Sequence, residues 1–163
     1  MVDKSIRNLI MEKIKENPGL HFREIQRVVG CATGQLQYHL YQLETAGLIY
    51  QKKDGKKVRF FPNEGPSFRE REILFSIRNR ARSRIIFDLV VYGPTEREKL
   101  LKTRKSRALE TMEAFSSLIE QGIIVEEKDI VSLVDRKEIL LVLKKYKESF
   151  LDSLSSNLVS LLR

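Results

Sequence analysis

Between Thr33 and Ala46 the chain sets Gly34, Gln35, Gln37, Tyr38, Tyr41 and Gln42 around an apolar stripe of Leu36, Leu40 and Leu43. None of the six is an acid, a base or a nucleophile. A Gln carboxamide carries donor and acceptor side by side and pairs bidentately with an adenine edge. A Tyr hydroxyl reaches phosphate oxygen, and Gly34 admits close backbone approach. A merely solvated helix is dominated by Lys and Glu, so this face points to contact with bases and phosphates. Just downstream, Lys52, Lys53, Lys56, Lys57 and Arg59 bracket Asp54-Gly55. Five cations against one Asp on a short segment call for an anion, whose counterions would be released on binding.

Other chemistries find little support. His21, Cys31 and His39 are the soft metal ligands, but one Cys and two His on separate elements make a poor tetrahedral set. His21 is expected to cap a helix or lie at its start, and His39 to be polar surface or helix packing. Cys31 is expected to be a small, buried turn residue. No P-loop, G-x-S-x-G, H-E-x-x-H or spaced Cys pair occurs, and the carboxylates are interspersed with Lys and Arg as on solvated helices. Neither catalysis, nor a metal, nor a cofactor is expected.

The elements that hold these residues follow from periodicity. Ile6, Leu9, Ile10 and Ile14 recur at helical spacing, and that pattern stops at Asn17-Pro18-Gly19. Phe22, Ile25 and Val28/Val29 mark a short second helix ending at Gly30. Thr33 is placed to cap a third, closed by Gly47. "LIYQKKDGKKVRFFP" reads as two strands joined at Asp54-Gly55, whose positive φ angles would make the turn. Helix, helix, helix, hairpin is the order of a winged helix-turn-helix.

After the linker "NEGPS" the pattern returns 75 positions on. Ile10, Ile14, Pro18-Gly19, Ile25, Leu40, Leu43, Gly47 and Ile49 correspond to Ile85, Leu89, Gly93-Pro94, Leu100, Phe115, Leu118, Gly122 and Ile124. A register so long predicts a second, diverged copy. Ser67 and Glu70 have capping-box spacing at the head of a connecting helix over about residues 68–79. Asp135 and Glu138 repeat that spacing before a helical tail with one stripe of Ile139, Leu140 and Leu143. A second stripe contains Phe150, Leu151, Leu154, Leu158, Leu161 and Leu162. Either this stripe packs on the second copy or it forms a dimer interface.

The predicted architecture is mainly α with small β-hairpin wings (α+β): two tandem winged helix-turn-helix domains plus C-terminal helices. The boundaries are residues 1–63, a linker and connecting helix at 64–79, the second copy at 80–134, and the tail at 135–163. The second copy departs from the first in charge. Its third helix carries Glu110, Glu113 and Glu120, and its shorter hairpin has Glu126 and Glu127 and no Gly. Yet residues 69–107 hold twelve basic residues against five acidic ones, ending in Arg104, Lys105 and Arg107. These three could hold DNA phosphate, or the second copy could be a dimerisation or partner module.

Length and composition agree with this reading. The 163 residues are 42% hydrophobic and 32% charged, as in globular proteins, and the net charge of +8 with pI near 9.6 favours an anionic partner, nucleic acid before membrane. One cysteine excludes an internal disulfide. With neither an apolar leader nor a run of ~18 apolar residues, a cytoplasmic protein is expected.

The run "NPGLHFREIQRVVG…TGQLQYHLYQLETAGLI" with its DG hairpin resembles archaeal transcriptional regulators with two tandem winged helix-turn-helix domains, related to the ArsR and MarR groups. His-Phe-Arg-Glu-Ile and Leu-x-Tyr-His-Leu are the most specific parts. The likeness is good over residues 1–62 and weaker, though in register, over about 80–134. It implies sequence-specific binding of double-stranded promoter DNA by a homodimer, with residues 33–42 reading an inverted repeat and 52–59 forming the wing. The rivals are a winged-helix protein–protein module of the transcription or replication machinery and an architectural DNA binder without sequence preference.

Overall fold

A computed structural model describes the backbone of residues 2–150 and the side-chain environments of residues 5–150. The chain divides into two compact units, Met1–Phe75 and Ser76–Arg163.

In the first unit, α1 (Val2–Glu16) packs against α2 (Phe22–Val29) and α3 (Thr33–Thr45). Between α1 and α2, the two-residue strand β1 (Leu20–His21) joins a hairpin of β2 (Ile49–Asp54) and β3 (Lys57–Pro62), in the order β1-β3-β2, all antiparallel. Ile10, Ile14, Leu20, Ile25, Leu36, Leu40, Leu43, Ile49 and Phe60 form the core. α4 (Phe68–Arg78) follows, and the Ser67/Glu70 capping box is present in both directions, at 2.7 and 3.1 Å.

The second unit repeats this order. α5 (Arg80–Tyr92), β4 (Thr95–Glu96), α6 (Arg97–Leu101), a 3-10 turn (Lys105–Arg107), α7 (Ala108–Glu120), and the hairpin β5 (Ile124–Glu127) and β6 (Ile130–Leu133) give the sheet order β4-β6-β5. At the spacing of 75, β1 coincides with β4 and α3 with α7, residue for residue. The paired core residues are buried in both units: Ile10 with Ile85, Ile14 with Leu89, Ile25 with Leu100, Leu40 with Phe115, Leu43 with Leu118, and Ile49 with Ile124. Both third helices end alike. Gly47 and Gly122 take φ of 70° and 62°, and the next residue's N–H bonds back to Leu43 and Leu118, five positions earlier. This is a left-handed cap that a side chain would strain.

α8 (Arg136–Lys145) starts on Asp135, whose carboxylate accepts from the Glu138 N–H at 2.9 Å. Its buried stripe is Ile139 and Val142; Leu140, expected on that stripe, is 38% exposed, because the helix turns 100° per residue and Val142 fills the inward position. Among the described residues no helix is long and apolar enough to cross a membrane.

Candidate nucleic-acid interface

α2 and α3 are fixed to each other at the turn between them. Gly30 takes φ of 73° and its N–H bonds to Gln26 O at 2.8 Å, ending α2. The Gln26 carboxamide then donates to Thr33 Oγ1 at 2.9 Å and to Cys31 O at 3.3 Å, tying α2 to the first residue of α3. The cap of α3 is Ala32, not Thr33. Thr33 sits one residue inside the helix, its hydroxyl accepting from Gln26. At the head of α2, His21 is the N-cap, and its N–H donates to Glu24 at 2.9 Å. Burial lowers the His21 pKa, with Lys57, Arg59 and Arg27 adding to that effect and Glu24 opposing it.

α3 buries Leu36, His39, Leu40 and Leu43 and exposes Thr33, Gly34, Gln37, Tyr38 and Tyr41; Gln35 and Gln42 are half-buried on its flanks. Tyr38 and Tyr41 are 53% and 65% exposed, far more than aromatic rings that serve a core. His39 is helix packing at 2% exposure, its ring edge-on to Tyr38 at 5.3 Å. Gln51 on β2 donates to both oxygens of Glu44 at 2.9 Å, linking the end of α3 to the hairpin. The sequence marks neither Gln26 nor Gln51, since a surface Gln carries no sign of the element it will bridge.

The hairpin differs from expectation. Its turn is Gly55-Lys56, not Asp54-Gly55: Asp54 still pairs with Lys57, and only Gly55 takes positive φ, at 60°. That pattern fits a turn with Gly at the first central position. Asp54 and Arg59 are both buried, their side chains 4% exposed and joined at 2.7 Å, while Arg59 also donates to Gly19 O at 3.1 Å. Arg59 is therefore structural and has no face toward an external phosphate. Lys52 is likewise taken up, 2.5 Å from Glu72 and 4.2 Å from the Phe75 ring centre on the α4 side. Tyr50, on the same sheet face, stacks on Phe61 and receives Arg71 over its ring. Of the five cations, Lys53, Lys56 and Lys57 remain exposed.

In the second unit, Arg104, Lys105 and Arg107 are exposed before α7. Much of the remaining basic excess is engaged. Arg82 is buried, Arg84 donates to Leu100 O and Lys102 O, and Arg97 reaches Glu126 at 3.4 Å. Arg78 bonds Ser149 and lies 4.3 Å over the Phe150 ring. Phe150 is 1% exposed, so it does not present the open face expected of a dimer surface. Leu151, Leu154, Leu158, Leu161 and Leu162 lie outside the described residues. The positions on α7 that match Gly34, Gln37, Tyr38 and Tyr41 are Leu109, Met112, Glu113 and Ser116, all exposed. Cys31 is half-buried against the first core, and no group of three His, Cys, Asp or Glu suited to a metal occurs among the described residues.

Residues 4–74 match a family described as an N-terminal HTH domain. With the geometry of α2 and α3, these residues form a helix-turn-helix domain. The chain is also similar to an uncharacterized HTH-type transcriptional regulator of Methanocaldococcus jannaschii, 30% identical over 96 residues. That stretch is 59% of this chain and spans about a quarter, 24%, of the relative's length.

Proposed function

We propose that the protein is a sequence-specific, double-stranded DNA-binding transcriptional regulator. The observation that carries this reading is the uncharged exposed face of α3, with Gly34, Gln37, Tyr38 and Tyr41 on a helix braced by Gln26 and Gln51. In helix-turn-helix proteins the second helix of the pair enters the major groove, and its N-terminal outward residues meet base edges. Thr33, Gly34, Gln35, Gln37 and Tyr38 hold that position here, with Tyr41 and Gln42 a turn further on. Lys53, Lys56 and Lys57 extend the wing along the backbone or into the minor groove. The likeness to an HTH-type regulator supports the same reading, as does the resemblance to ArsR- and MarR-related archaeal proteins. A homodimer on an inverted repeat is the expected assembly, and the second unit is read as a diverged winged helix-turn-helix.

The second unit favours a different task. At the positions of the α3 reading face, α7 presents Leu109 at 72% and Met112 at 54% exposure, flanked by Glu110 and Glu113. Carboxylates repel a phosphate backbone, and exposed Leu and Met suit a protein surface. This unit serves dimerisation or partner contact, with Arg104 and Lys105 reaching phosphates at most.

Salt dependence of duplex binding separates these roles. Each phosphate contact contributes about 0.9 to the slope of log K against log salt. Replacing Lys53, Lys56 and Lys57 by Ala should lower the slope by up to about 2.7. Replacing Arg104, Lys105 and Arg107 should change it less. An unchanged slope in the wing variant would remove the wing from the interface, and a larger loss in the second variant would make the second unit the DNA-binding one.

A further inference from the structure

The second unit builds a cleft whose chemistry the first unit lacks. At the spacing of 75, Ser5, Leu9, Ala32 and Leu36 become Arg80, Arg84, Arg107 and Thr111. Leu36 is fully buried core in the first unit; Thr111 takes its place at 5% exposure. No described residue hydrogen-bonds the Thr111 hydroxyl. The Thr111 hydroxyl is not among the fully buried polar atoms that lack a partner, so it is reached from the cavity that Thr111 lines. Conservation of the fold does not call for these four replacements, since the same architecture is made in the first unit without them.

The four residues, with Thr103 and Glu110, line one cavity of about 440 Å³. Arg84 is held in place by its bonds to the Leu100 and Lys102 carbonyls. The Arg80 and Arg107 guanidinium groups are exposed and in no ion pair with a described carboxylate. α7 begins beside the cavity with no side-chain cap, so the positive end of a 13-residue helix lies there. Three guanidinium groups and one carboxylate line the cavity, and although Arg84 also faces Asp88 the lining stays net positive, which a dianion complements. Arginine forks match phosphate geometry, and the two Thr hydroxyls add donors.

We propose that this cleft binds a small phosphorylated molecule, its phosphate taken by Arg80, Arg84 and Arg107 with the Thr111 hydroxyl as a further donor. The volume lies in the range of small-ligand sites, about 300–1,000 Å³.

The test is an amide NMR titration of the full chain with inorganic phosphate and then pyrophosphate, against chloride at equal ionic strength. Saturable shifts confined to residues 80–84 and 103–111 are expected, pyrophosphate binding more tightly. The Arg80→Gln/Arg107→Gln variant should weaken binding at least tenfold, while Lys15→Gln/Lys137→Gln, at exposed lysines outside the cleft and the wing, leaves it unchanged. The same spectra report that each variant is folded. Shifts that do not saturate, or that survive the double Arg variant, overturn the proposal. Saturable shifts that a short duplex of arbitrary sequence competes away would assign the cleft to a DNA phosphate and overturn it as a small-molecule site.

Discussion

Replacing Asp54 by Ala removes the carboxylate that receives Arg59 at 2.7 Å, where both side chains are 4% exposed. Breaking a buried ion pair from one side costs about 3–5 kcal/mol, mostly because the remaining charge is stranded away from water. The Gly19 carbonyl, 3.1 Å from the same guanidinium, stays in place and holds the loss near the lower figure, about 3 kcal/mol. A unit of this size has a stability on the order of 4–11 kcal/mol, so a quarter or more would be lost. Urea denaturation of the full chain, followed through amide signals of the first unit, reads this loss. Asp54→Ala/Arg59→Met removes the stranded charge and should recover most of the stability, whereas Lys56→Ala should cost no more than about 0.5 kcal/mol. Arg59 would then be a residue that holds β1 to the wing and not a phosphate contact. A loss below about 1 kcal/mol for Asp54→Ala, or no recovery in the double variant, would refute the reasoning.

Gln37→Ala should relax base preference at one position of the bound sequence by about 1–3 kcal/mol while leaving the salt slope unchanged, which competition between duplexes measures. Burial lowers the His21 pKa, so the unfolded chain takes up a proton at higher pH than the native one. Its contribution to stability is complete above the ordinary imidazole pKa and falls as pH drops through the lowered native value; His21→Gln should flatten that part of a urea-midpoint profile. The second hairpin turns through Lys128 and Asp129, non-Gly residues at φ of 52° and 65°. Changing the pair to Asn-Gly should stabilise the second unit by about 1 kcal/mol, seen as a higher thermal midpoint. Asp88 is pushed up by burial, against the pull of Arg84, so Asp88→Asn should stabilise the chain as pH rises above the ordinary carboxylate range.

Much of the fold is legible in one sequence because the chain states its pattern twice. Apolar residues at helical spacing, closed by Gly47 and then by Gly122, fix each third helix and the start of each hairpin. The polar face of α3 is readable for the same reason, since subtracting the buried stripe leaves Gln37, Tyr38 and Tyr41. The fate of individual cations is not readable. Arg59 and Lys52 pair across the sheet, on the face that also carries Tyr50 and Phe61. Lys52 and Tyr50 meet α4 residues there. Only knowing that α4 reaches this face shows that the Lys52 charge is spent internally. Thr111 and the arginines around it carry no motif either; their meaning comes from comparing the two units position by position.

α3 is proposed to read base sequence. The most direct measurement is selection of duplexes from a random library by the full chain at about 150 mM salt, where phosphate contacts alone bind weakly. Enrichment of a defined element, arranged as an inverted repeat with half-sites about one helical turn apart, is the predicted result. Retained but unenriched duplexes, or no retained DNA at all, would contradict it.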